Sequence, residues 1–196
     1  MHFKYSLICL LITFELTNCY SSNNLWKMFN NNPNKRNYNV CLQQIQETKD
    51  LPINDKTQLY RQLIIEKEIG NFLKLVESGN KYAADLCFNL FPPFKGHVQY
   101  IEVFNISIGK LIKNNTELFL SLLSEYDNKI IGKYTSFDGL LGSYGSEFVD
   151  KTEKKIEETN KRIECLNEIK NSKYKHLINK CLEYYNKRLK FLEQLK

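Results

Sequence analysis

Residues 152–195 read TEKKIEETNKRIECLNEIKNSKYKHLINKCLEYYNKRLKFLEQL, and this stretch decides the fold. In its second half Leu177, Ile178, Cys181, Leu182, Tyr185, Leu189, Leu192 and Leu195 recur every three or four residues, the period of a helix with one buried face. The first half repeats that period more weakly, and Asn171-Ser172-Lys173 interrupts the two. The pattern predicts an antiparallel hairpin of helices, Thr152–Ile169 and Tyr174–Leu195. Asp150 is placed to cap the first of them, with Glu153 three residues on.

Upstream, the same reading gives helices over Tyr38–Thr48, Lys56–Ile69, Phe72–Glu77, Lys81–Phe91, from Gly96 or His97 to Ile112, and over Thr116–Tyr126. Breaks fall at Pro52 with Asn54-Asp55, at Gly70-Asn71, at Ser78-Gly79-Asn80 and at Pro92-Pro93. Asn54-Asp55 is also expected to cap the helix that follows it. Leu118, Phe119, Leu120, Leu122 and Leu123 could form a strand, but the run lacks Val and Thr, which favours a buried helix. Residues 127–150 hold four of the eight glycines and read as a loop with a helical turn at Leu140-Leu141. The fold class is all-α: an irregular helical bundle or a short HEAT- or armadillo-like stack, ending in the C-terminal hairpin.

The N-terminus reads as an export signal. Lys4 precedes an apolar run, Tyr5–Phe14, that is too short to span a bilayer, and polar residues follow. The expected organisation is a signal peptide over 1–21, a polar linker over 22–38 and a single helical domain over 39–196. Trp26, Met28 and Phe29 are the linker's main apolar group and could dock on the domain. Leu16-Thr17-Asn18-Cys19 offers a second reading, a lipobox with Cys19 as the acylated residue. Asn18 and Glu15 depart from that pattern.

Export makes the cysteines informative. Of the six in the chain, Cys9 leaves with the signal and Cys19 is removed or lipidated. Cys165 and Cys181 each lie eight residues from position 173, so an antiparallel hairpin would set them level. A Cys165–Cys181 disulfide is therefore expected, and Cys41–Cys87 follows by elimination. The first bridge would stabilise the fold by about 3 kcal/mol in the chain-entropy account. The absence of any CxxC pair gives no support to redox catalysis or a zinc site.

The formal charge of +6 comes with acidic residues interspersed throughout, which does not suggest a nucleic-acid-binding stripe. Outside the signal only His97 and His176 remain, neither in a metal or acid–base pattern. No GxSxG motif is present. Gly139-Leu-Leu-Gly-Ser-Tyr-Gly145 lacks the ending of a phosphate loop and reads as a turn. Asp138, Glu147 and Asp150 could supply a carboxylate pair for hydrolysis. Asn105-Ile-Ser107 and Asn114-Asn-Thr116 match the glycosylation sequon, as chance allows in so asparagine-rich a chain. Tyr174, Tyr184 and Tyr185 read as core residues beside a solvated basic face. No metal and no cofactor are implied.

Gly145-Ser-Glu-Phe-Val-Asp150, Arg162-Ile-Glu-Cys165 and Lys180-Cys181-Leu182-Glu183 resemble the C-terminal part of a group of exported, all-helical bacterial proteins, periplasmic or lipid-anchored, whose role is not assigned. The resemblance covers the final third of the chain. It implies an envelope protein and supplies no catalytic residues.

The expected function is that of a non-enzymatic, exported protein that binds a protein or another envelope component. It would touch a membrane only through a lipid on Cys19. The alternatives are a hydrolase of an envelope polymer using carboxylates near 138–150, or a secreted effector or inhibitor.

Overall fold

The computed structural model describes residues 24–52 and 56–195. The signal, the cleavage region, Cys19 and the cap expected at Asn54-Asp55 lie outside the described residues. Those described form an irregular all-α bundle with two isolated bridges, Asp127 with Ile131 and Ile131 with Thr135, and no strand.

The order is α1 (Leu25–Asn31), α2 (Lys35–Thr48), α3 (Thr57–Tyr60) with a π-turn Arg61–Ile65, α4 (Ile69–Glu77), α5 (Lys81–Leu90), α6 (Val98–Asn114), α7 (Thr116–Tyr126), α8 (Phe137–Gly142), α9 (Thr152–Glu168) and α10 (Lys175–Gln194). Helix α6 is central. It packs against α4, α5, α7, α8 and α9, and α9 and α10 form the predicted hairpin. One apolar cluster runs from Trp26 in α1 to Tyr185 in α10.

Asparagine punctuates this fold. The side-chain oxygens of Asn24, Asn34, Asn80 and Asn115 accept backbone N–H groups in the first turns of α1, α2, α5 and α7. Each satisfies donors that a helix start leaves unpaired. Asp150 does not cap α9. It sits in the left-handed region at φ 57°, and the residue before the helix, Lys151, makes no side-chain cap.

The polar linker expected over 22–38 is corrected from residue 24 onward. Helix α1 lies there, with Trp26 and Phe29 fully buried. Its indole Nε1–H donates to Gln44 Oε1 at 2.9 Å, and Gln44 Nε2 donates to Gln62 Oε1 at 3.1 Å. The expected Lys56–Ile69 helix is likewise divided. The π-turn brings Gln62 inward to meet Gln44, and Lys67, left-handed at φ 61°, stops the helix before α4.

The disulfides are also corrected. Cys41, Cys87, Cys165 and Cys181 are all free. Helix α9 buries Glu158, Thr159, Arg162 and Leu166. Cys165 stands about 100° round the helix from Leu166, half-buried and close enough to Lys113 of α6 to feel its charge. Cys181 is fully buried on α10 beside Tyr185. The two are level along the hairpin by count, but they differ in burial and form no bond. Cys41 Sγ points at the Leu25 carbonyl of α1, 3.7 Å away.

Burial pushes the Cys41 and Cys181 thiols up from 9.0 to about 12, and raises Cys87 further. A folded protein that keeps these protons after the unfolded chain has released them is destabilised by alkali. Stability should be level below about pH 8.5 and then fall toward pH 12. Each thiol contributes a slope of about 1.4 kcal/mol per pH unit within that window. Urea titrations from pH 7 to 11 on the wild type and on Cys41→Ala with Cys181→Ala should show a shallower fall in the double variant.

Helix α8 lies across α6 at Gly109, where a Cβ would stand 2.7 Å from the Leu140 carbonyl oxygen. That atom is backbone, so it cannot swing aside. Gly109→Ala should cost about 1–3 kcal/mol through overpacking, read as a lower urea midpoint with an unchanged slope.

Candidate functional site

The crossing of α6, α8, α9 and α10 surrounds a buried cation. Arg162 is fully buried. Its Nε–H donates to Glu158 Oε1 at 3.1 Å, and its Nη1 donates to the Leu141 carbonyl at 2.9 Å and to Tyr185 Oη at 3.3 Å. The guanidinium lies over the Tyr144 ring at 4.7 Å. Glu158 is tied in turn to Lys113 at 2.7 Å, and Tyr144 Oη shares a hydrogen bond of 2.7 Å with Thr159 Oγ1. Burial opposes the Arg162 charge, but Tyr185, Glu158 and Tyr144 more than restore it, so its pKa stands above the ordinary guanidinium value. Burial likewise pushes the Tyr185 phenol up, and Arg162 offsets part of that rise. Arg162 Nη2 has no hydrogen-bond partner among the described residues.

Outside this network opens a cleft of about 500 Å³. Val103 and Ile106 of α6 form an apolar wall, and the loop Gly142-Ser143-Tyr144-Gly145-Ser146 forms the other. Lys155 of α9, Arg188 of α10, Glu102 and Val149 complete it. The loop is the glycine-rich segment that the sequence marks as a turn. Its Gly145 is positive at φ 107°, and the Glu147 carboxylate folds back over it, so a side chain at 145 would collide. Glu147 pairs with Lys110 at 3.7 Å.

Arg188 is half-buried, its guanidinium 5.4 Å from the Phe191 ring centroid. Its Nε–H is shielded from solvent and has no acceptor among the described residues. Unpartnered buried donors are uncommon in folded proteins, and this one belongs to a residue that lines the cleft. Val149, which lines the cleft, is exposed at 58 %.

The other residues singled out from sequence are dispersed. Asp138 is exposed in the first turn of α8, and Glu147 and Asp150 are exposed further along the loop. Glu147 is engaged by a lysine rather than by a second carboxylate. His97 sits among the rings of Tyr60, Phe94 and Tyr100, and His176 is exposed on α10. Asn105 is buried and accepts from Thr135 Oγ1 at 2.6 Å, whereas Asn114 is exposed. No group of three or more His, Cys, Asp or Glu side chains among the described residues could hold a metal.

Sequence reasoning gave Arg162 no role beyond its place in Arg162-Ile-Glu-Cys165, and did not single out Arg188. Both lie in lysine-rich helices, where a cation reads as part of a solvated face. The available signal was the buried period itself: Arg162 falls four residues before Leu166, and Arg188 three after Tyr185. Comparison with protein-family models, with curated proteins and with solved structures finds no match for this chain.

Proposed function

We propose that this chain is a non-enzymatic binding protein that works outside the cytoplasm and takes an envelope component into the cleft between α6, the 142–146 loop, α9 and α10. The observation that carries the reading is a cleft of about 500 Å³ lined by Arg188 and Lys155 beside Val103 and Ile106, a size within the usual range for ligand sites. Mixed apolar and polar walls with a few fixed charges suit recognition. Export rests on the order of charge, apolar run and polar break at the N-terminus.

The test fills the cleft. Ser146→Trp places a large side chain on its exposed rim. Full-length wild type and variant, matched by circular dichroism, are used to recover partners from envelope extract of the producing cells. A component held by the wild type and lost from the variant is the expected result. Equal recovery by both would overturn the assignment to this cleft. An intact Met1 on the protein isolated from its native compartment would overturn export.

A further inference from the structure

We propose that the cleft binds a long-chain carboxylate, with the carboxyl group on Arg188 and Lys155 and the hydrocarbon along Val103, Ile106 and Val149. The inference rests on the binding reading above and names the class of ligand. The geometry supplies three constraints. Val103, Ile106 and Val149 line the cleft, and Val149 is 58 % exposed, so part of the ligand is hydrocarbon. Arg188 and Lys155 are the two cations that line the cleft, so the polar end is an anion. The guanidinium fork matches the two oxygens of a carboxylate.

The third constraint is the number of charges. Glu102 lines the same cleft, and the Glu147 carboxylate lies over Gly145. Lys110 pairs with Glu147 at 3.7 Å and with Glu77 at 3.2 Å, so it is shared between two acids. Two cations facing one lining carboxylate leave room for one negative charge. A phosphate monoester, approaching two charges at neutral pH, meets more repulsion from Glu102 than a carboxylate does.

The probes are laurate, dodecyl phosphate, dodecanol and acetate, each titrated below its micelle concentration into the full chain by calorimetry. The apolar N-terminal run is common to all variants, so its contribution cancels between them. Laurate is expected to bind most tightly, with dodecyl phosphate and dodecanol weaker and acetate weakest. Arg188→Gln should weaken laurate by roughly tenfold to a hundredfold, the worth of a charge-assisted hydrogen bond. Glu102→Gln should tighten it by about twofold to fivefold, the scale of an exposed charge pair. Opposite signs from two substitutions on one cleft are not a folding artefact, and unchanged melting curves check this directly.

Equal affinity for laurate and dodecanol, or an Arg188→Gln variant as tight as wild type, would overturn the carboxylate. Acetate binding as tightly as laurate would overturn the hydrocarbon contact. If no probe binds while Ser146→Trp still abolishes recovery of an envelope component, the ligand class fails and the binding reading stands. If Ser146→Trp has no effect on either measurement, both fail.

Discussion

Arg162→Met should lower the stability of the chain by about 3–5 kcal/mol, the cost of removing one member of a buried ion pair. Methionine fills much of the volume, so the loss is electrostatic rather than a cavity. It leaves Glu158, 6 % exposed, with Lys113 alone, and removes donors from the Leu141 carbonyl and the Tyr185 hydroxyl. It also uncovers the face of Tyr144. Arg162→Lys should recover little, because a single ammonium cannot reach Glu158, Leu141 and Tyr185 at once. Urea unfolding followed by circular dichroism measures both. Lys161, the next residue, is paired with Glu157 on the surface, and Lys161→Ala should leave the midpoint unchanged. A loss at 162 no larger than at 161 would mean that the buried network does not hold α8 to the hairpin.

Trp26→Ala should cost a similar amount, about 3–5 kcal/mol. The ring is fully buried edge-on to Phe72, with centroids 5.2 Å apart, and its N–H supplies the only donor shown for Gln44 Oε1. Trp26→Phe separates the two contributions. It keeps most of the apolar contact and leaves the Gln44 acceptor unmet, a loss of about 1–3 kcal/mol. If residues 24–38 were a tether, both substitutions would be silent in thermal and urea melts. The same pair therefore tests whether the asparagine-rich segment belongs to the body of the protein.

The sequence carried the helices and their ends better than it carried their faces. The hairpin was legible because α10 has a clear apolar period and Asn171-Ser172-Lys173 breaks the chain before it. The run Leu118–Leu123 was legible as helix because its neighbours are helical and it lacks β-branched residues. Helix α1 was hidden because asparagine was read as composition alone. In the structure Asn24 and Asn34 are caps, and Trp26 and Phe29, three apart, are one buried face.

Helix α9 misled for a related reason. Its apolar residues Ile156 and Ile163 are only half-buried, while Thr159 and Arg162 are fully buried. A polar residue can take a core position when every neighbour is arranged to satisfy it, and periodicity of hydrophobic residues is blind to that. The expected Cys165–Cys181 bridge is absent, with Cys181 fully buried and Cys165 only half-buried. The cleft was illegible because its walls come from four separate segments, and nothing in the 142–146 loop announces Arg188 more than 40 residues later.

Asp85 joins three helices through one carboxylate. Tyr38 of α2 donates to it at 2.6 Å and Tyr126 of α7 at 2.7 Å, while Asn89, one turn along α5, donates to both Asp85 and the Tyr126 hydroxyl. Tyr126 also stacks on Phe88 at 4.7 Å with the rings nearly parallel. Six of the ten residues of α5 are buried. Proteins open in cooperative units of unequal free energy, and these contacts place α5 in the unit that opens last. Its amides should exchange with deuterium at the rate of global unfolding. The exposed ends of α9 and α10 should exchange through smaller openings that leave Asp85 and its tyrosines closed, so a cleft built against the hairpin can breathe while the opposite half of the molecule keeps its shape.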